Sequence, residues 1–138
     1  MIQAPEPARP YFLNMENIRH PNSTRDSGLL DWQFASYGES HQDRSNLALH
    51  IVAVPVFMAG TLAVLASPAV SLWLAPIGLA AMATSMAVQG KGHAHEAVAP
   101  AAFAGPLDVI TRIFAEQWIT FPRFVLSGGF ARAWTRAR

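Results

Sequence analysis

No Asp, Glu, Lys or Arg lies between Arg44 and Lys91. The tract between them is mostly apolar, and Ser67-Pro68 interrupts it near its middle. A proline has no backbone N–H and clashes with the preceding helical turn, so the pair marks a break. The pattern predicts two long helices, Asn46–Ala66 and Ala69–Gln89, of 21 residues each. At ~1.5 Å per residue each spans about 31 Å, close to the ~30 Å of a bilayer's hydrocarbon core. A hairpin turning at Ser67-Pro68 returns the chain to the side it left. Pro55 falls inside the first helix, a position that membrane helices tolerate better than soluble ones. The small residues of the second, among them Gly78, Ala80, Ala81, Ala83 and Ser85, permit close helix–helix approach.

The flanks read differently. Leu30, Phe34, Tyr37 and His41 fall on one face of a short helix over residues 28–42, with Asp26 or Ser27 as its cap. His41 and His50 are nine residues apart. One continuous helix would set them on opposite sides, at ~100° per residue. A break over Gln42–Ser45 is therefore expected, with Ser45 or Asn46 capping the next helix. Further on, Pro106 suits the first position of another helix. Its apolar stripe is Leu107, Ile110, Ile113, Phe114, Trp118 and Phe121. Arg112 and Glu116 lie off that stripe, spaced for a surface ion pair or for a role inside the fold. Residues 1–27, rich in Pro, Asn and Ser, read as an irregular lead. Residues 28–130 read as one helical membrane domain and 131–138 as a basic tail. In that tail Trp134 with Arg132, Arg136 and Arg138 suits an interfacial anchor or a frayed terminus.

Composition supports this division. Charged residues make up 14% of the chain, against about 25% in an ordinary soluble protein. The formal net charge of +1 gives no field for nucleic acid. There is no cysteine, which excludes disulfides and thiolate metal sites. Any metal must be held by N and O ligands, which points to iron, zinc or manganese. No basic stretch followed by an apolar run marks a signal peptide at the start. Arg44 and Lys91 flank the apolar tract and the turn has no cation, so the positive-inside tendency places the flanks in the cytoplasm.

The hairpin has a chemical consequence. It would gather His41, His50, His93, His95 and Glu96 at one membrane surface. If the second helix persists, His93 and Glu96 share a face at i, i+3, a familiar way to offer two ligands to one metal. His95 would be rotated away, as a metal or substrate contact. Against this stands the ordinary fate of histidines near helix ends, which is hydrogen bonding at an interface.

The order Tyr37-x3-His41-x4-Asn46-x3-His50-x4-Pro55, followed by Gly92-His93 and Glu96-x3-Pro100, resembles the fungal 2-hydroxy fatty acid dioxygenase family and its bacterial relatives. The resemblance covers roughly residues 34–130. In that family the acidic residue follows the Gly-His histidine by four positions, whereas Glu96 follows His93 by three, which leaves His93 or His95 to take the role. The resemblance implies an Fe(II)-dependent dioxygenase of lipid α-oxidation, shortening a 2-hydroxy fatty acid by one carbon with O2. It implies His41, His50 and His93 as catalytic and metal-binding residues and Asn46 as their support. Glu96 and His95 complete the candidate ligands. Tyr37, Arg44 and Lys91 are candidate substrate contacts, the two cations for the carboxylate. An amphiphilic substrate suits the picture, with its tail among the helices and its carboxylate and hydroxyl at headgroup level.

The fold expectation is thus all-α: an integral membrane helical hairpin with flanking amphipathic helices, and its histidine end cytoplasmic. Expected partners are the 2-hydroxy fatty acid, O2 and membrane lipid, with a homo-oligomer left open. Competing functions are a non-catalytic metal-binding membrane protein or scaffold, and a metal-free lipid hydrolase or isomerase using a His–Glu pair.

Overall fold

The computed structural model describes residues 28–137, so the expected irregular lead over 1–27 lies outside the described residues. The described chain is helical, with no strand among its residues. It runs α1 (Leu29–Tyr37), a 3-10 turn (Gly38–Ser40), α2 (Arg44–Ala66), α3 (Leu74–His93), α4 (Pro106–Ala115), a π turn (Glu116–Thr120), α5 (Phe121–Leu126) and α6 (Gly129–Arg136).

The helices α2 and α3 pack antiparallel along a seam of small and polar residues. Going down α2, Gly60, Ala53 and Asn46 meet Gly78, Ser85 and Gly92 of α3. Each step is seven residues, two helical turns, so the seam stays on one face of both helices. At Gly60 an added Cβ would lie 2.7 Å from the Gly78 carbonyl oxygen, and at Gly78 it would lie 2.5 Å from that of Gly60. A Cβ at Gly92 would collide with Asn46 Oδ1. The helices therefore touch backbone to backbone, and only glycine permits it. Between Ala53 and Ser85 the Ser85 hydroxyl donates to the Ala53 carbonyl at 2.7 Å.

Several boundaries depart from the sequence expectation. The second long helix starts at Leu74 rather than Ala69, after a string of tight turns over residues 67–73. A start at Ala69 would have put Pro76 in the helix interior; the later start puts it in the first turn, where its missing N–H has no partner to lose. The cap of α2 is Asp43, whose carboxylate accepts the Asn46 N–H at 3.0 Å, and not Ser45 or Asn46. The cap position of α1 is Gly28, at φ 89, and Asp26 and Ser27 lie outside the described residues. The residues from 131 expected as a tail belong to α6, reached through Gly128 at φ 75, a left-handed turn that suits glycine.

The polarity of the bundle is inverted. Its buried polar residues include Gln33, Asn46, Ser85, Gln89, Arg112, Gln117 and Thr120. Outside lie Val52, Leu65, Leu72, Trp73, Ile77, Leu107 and Ile110. The stripe expected on α4 faces outward in large part: Leu107 is 75% exposed, whereas Arg112 is 6% exposed. The expected surface pair of Arg112 and Glu116 is not formed. The Arg112 guanidinium lies between the rings of Trp32 and Phe103, donates to the carbonyls of Ala101 and Ala102, and pairs with Asp108 at 3.6 Å. Apolar packing persists where Tyr37, Leu47, Val54, Phe121 and Phe124 meet. Among the described residues α2 alone has the length and apolarity to cross a membrane. The expectation of two spanning helices is thus supported for α2 only.

The seam predicts an asymmetry between glycines. Gly78→Leu must push α2 and α3 apart, costing on the order of 1–3 kcal/mol or more. Gly90→Ala meets nothing within 4 Å and gains helix propensity, so it should be neutral or stabilising by roughly 0.5–1 kcal/mol. Thermal unfolding of both variants in detergent, followed by circular dichroism, checks this.

Candidate metal centre

His41 sits just after the 3-10 turn, at φ -136 and ψ 64, outside any helix. This is the break the nine-residue spacing demanded. Its ring stacks on Tyr37, with centroids 3.9 Å apart. His50 lies in the second turn of α2, and His93 is the last residue of α3. The close seam and its short turn bring these ends side by side. The three ring centroids form a nearly equilateral triangle, 4.7, 4.8 and 4.9 Å on a side. Their planes are steeply inclined to one another, at 83°, 82° and 75°.

Hydrogen bonding fixes the tautomers of two rings. His41 Nδ1 lies 2.8 Å from the Tyr37 carbonyl, and His50 Nδ1 lies 2.9 Å from the Asn46 carbonyl. A carbonyl only accepts, so each Nδ1 carries the proton and each Nε2 presents a bare lone pair. Both Nε2 atoms are buried without a partner. Leaving an acceptor unpaired in the interior costs about 1–3 kcal/mol. Burial, followed by the neighbouring imidazoles His50 and His93, pushes the His41 pKa down to about 2, so this ring is neutral. A cation at the shared centre would satisfy the lone pairs, and neutral imidazole is the form that ligates metals.

The fourth member is Glu116, for which the sequence left open a surface pair with Arg112 or a role inside the fold. Its Oε1 is 3.8 Å from His50 Nε2 and accepts the Tyr37 hydroxyl at 3.1 Å. Ligand atoms of His41, His50, His93 and Glu116 all lie within 4.8 Å of one another. Burial raises the Glu116 carboxyl to about 7. Burial also raises the Tyr37 phenol, with the Glu116 charge second. Glu116 opens the π turn, and the next residue anchors that turn. Gln117 and Gln89 exchange two amide hydrogen bonds, at 2.8 and 3.0 Å, and Gln89 also donates to Ser85 at 2.9 Å. Thr120, at the end of the turn, donates to Gln33 at 3.3 Å. Such π turns occur often at functional sites.

Glu96 and His95 do not join this group. The helix does not persist beyond His93, so the i, i+3 face that would pair His93 with Glu96 is never formed. Ala94 and His95 turn the chain, and the Glu96 carboxylate instead accepts the N–H groups of Gln42 and Asp43 and the Asn46 side-chain amide. His95 is exposed, with Nδ1 3.0 Å from the Lys91 carbonyl. Arg44 and Lys91 are also exposed, Arg44 with its guanidinium 5.9 Å from the Trp134 ring. Asn46 is fully buried beside His93, its Nδ2 3.5 Å from His93 Nδ1. The signal for Glu116 was present in the sequence: Arg112, Glu116, Gln117 and Thr120 are polar residues among the apolar ones of this segment, and in an inverted bundle such residues face inward.

The fold and site define a class, an all-helical protein with three imidazoles and a carboxylate grouped so that they can hold a metal ion. The chain belongs to the Mpo1-like family, described as 2-hydroxy-palmitic acid dioxygenase Mpo1-like, which it matches over residues 30–124. No curated protein and no solved structure gives a match. All four grouped residues lie inside the matched region, whereas α6 lies beyond it.

His50→Ala removes one of two buried lone pairs and should lower metal affinity by more than about 100-fold, beyond the range seen for residues that only support a ligand. His95→Ala should leave affinity within about twofold, as an exposed side chain outside the group. Metal analysis after dialysis against a weak chelator, with circular dichroism to confirm folding, measures both.

Proposed function

We propose that this protein is an Fe(II)-dependent dioxygenase that shortens 2-hydroxy fatty acids by one carbon, using O2, at a membrane surface. The observation that carries the proposal is the pair of buried, unpartnered Nε2 atoms of His41 and His50, converging with His93 and Glu116 in a chain of this family. Nitrogen and carboxylate ligands without sulfur suit non-haem iron that retains open positions.

His41, His50, His93 and Glu116 would hold the ion. Iron supplies the redox chemistry that lets O2 react with an organic substrate. The chain's own residues do the rest. The Tyr37 and Asn46 carbonyls aim two imidazoles at the centre, and the Tyr37 hydroxyl fixes the carboxylate opposite. Burial excludes bulk water from His41 and His50. Lys91 and Arg44, exposed near the histidine end, are the cations proposed for the substrate carboxylate. Loss of the carboxyl carbon as CO2, with C2 becoming the new carboxyl and water the other product, is a four-electron change, the capacity of one O2, so no separate reductant is required.

The outer surface supports membrane residence. Leu65, Val70, Leu72, Trp73 and Ile77 crowd the turn end, the largest being over 70% exposed. An apolar patch of that extent marks a membrane or partner surface, and α2 is long enough to span. Arg44 and Lys91 lie at the histidine ends of α2 and α3, and Arg132 and Arg136 line a pocket there with His95 and Glu96. By the positive-inside tendency that end faces the cytoplasm. A 2-hydroxy fatty acid in the bilayer would then present its headgroup at the depth of the histidines.

Protein purified in detergent and loaded anaerobically with Fe(II) should consume O2 with a long-chain 2-hydroxy acid and yield the acid one carbon shorter. The unhydroxylated acid should give no uptake above background. Chelation should abolish turnover, and His50→Ala should reduce it by at least about 100-fold. Stoichiometric metal without O2 uptake would leave a non-catalytic metal-binding protein, and activity that survives chelation would point to a metal-free hydrolase.

A further inference from the structure

The Glu96 carboxylate stands outside the candidate metal group yet touches the support of every imidazole in it. Its Oε1 accepts the N–H groups of Gln42 at 2.9 Å and Asp43 at 3.1 Å, and the Asn46 side-chain amide at 2.7 Å; its Oε2 shares the Gln42 N–H at 2.9 Å. Gln42 and Asp43 directly follow His41. Asn46 gives its carbonyl to His50 Nδ1, and its side-chain nitrogen lies 3.5 Å from His93 Nδ1. Glu96 itself is tied to His93, donating its own N–H to the His93 carbonyl at 3.1 Å.

The chemistry suits a carboxylate. The donors lie where the chain enters α2, and the positive end of a helix favours an anion. Hydrogen bonds to an ionised acceptor are roughly twice as strong as neutral ones. Asp43 cannot do this work, because its own carboxylate already accepts the Asn46 backbone N–H. Gly92 closes the arrangement from behind, packed so tightly on Asn46 that no side chain fits.

We propose that Glu96 is a positioning residue, a carboxylate clasp that ties the non-helical turn at His41 to the end of α3 and so sets the spacing of His41, His50 and His93 without ligating the metal. The proposal rests on reading the three histidines as a metal centre, and it differs from the ligand role that the sequence suggested for Glu96.

Two measurements test it on the full chain in detergent. Co(II) titration, followed by its visible ligand-field bands, reads affinity and coordination separately. Glu96→Ala should weaken Co(II) binding by roughly 10–100-fold, the range for residues that orient ligands, while the bands at saturation keep the wild-type position and intensity. Glu96→Gln, which retains one acceptor oxygen, should fall between wild type and Glu96→Ala, and it carries the test should Glu96→Ala not fold. Amide hydrogen exchange on metal-free protein should show Gln42 and Asp43 losing protection in Glu96→Ala, with α2 beyond His50 unchanged. Altered bands at saturation would make Glu96 a ligand and overturn the clasp. Unchanged affinity and unchanged exchange would overturn it as well. Wild-type protein that binds no Co(II) would sink the metal reading, and the clasp proposal with it; wild-type binding with an indifferent Glu96→Ala would sink the clasp alone.

Discussion

Backbone contact between Gly60 and Gly78 is the constraint on which the rest of the molecule depends. His50 and His93 are more than forty residues apart and sit at the far ends of their helices from the turn. They meet only because α2 and α3 keep the same register for about four turns, from the Gly60–Gly78 contact to that of Asn46 with Gly92. A wider or slipped pairing would rotate one histidine off the seam. Small residues along helix interfaces are a usual device for close packing. Here they also carry the geometry of the candidate centre.

A second theme is the inversion of polarity. In water, a helix such as α4 would bury Leu107 and Ile110 and expose Arg112; the protein does the reverse. The polar interior is satisfied almost throughout. Ser85, Gln89 and Gln117 form one hydrogen-bonded chain, and Thr120, Gln33 and the Arg112 carbonyl form another. Against that background the unpartnered atoms stand out. Among the described residues these are Asn46 Oδ1, Arg112 Nε, His41 Nε2 and His50 Nε2, and the two imidazole nitrogens belong to one group, where a metal ion would satisfy both. The same chain of amides pins the π turn and so presents Glu116 to the group.

Much of this was legible in the sequence. The charge-free tract gave the long hairpin and its histidine end. The nine-residue gap between His41 and His50 demanded the break that the 3-10 turn and Asp43 provide. The family resemblance, now carried by the match over residues 30–124, rested on spacings that local structure explains. Tyr37 and His41 stack across one turn, and Asn46 accepts the His50 Nδ1–H four residues on. What was not legible depended on chain reversals that periodicity cannot see. A helix persisting past His93 would have set the Glu96 carboxylate on the same face as the His93 imidazole, but α3 ends there. The π turn aims Glu116 inward, a choice that its i, i+4 spacing to Arg112 had left open. The environment, lipid or water, decides which face of α4 is the inside, and that is a property of the whole assembly rather than of the segment.

Three imidazoles and one carboxylate, scattered over the chain, are brought together where they can hold a single metal ion. X-ray absorption spectroscopy on Fe(II)-loaded protein tests this most directly. Iron held by this group should give the multiple-scattering signature of three histidines in a sulfur-free shell, with the histidine contribution reduced in His50→Ala. A loaded protein whose iron shows no imidazole scattering, or whose spectrum is indifferent to the loss of His50, would contradict it.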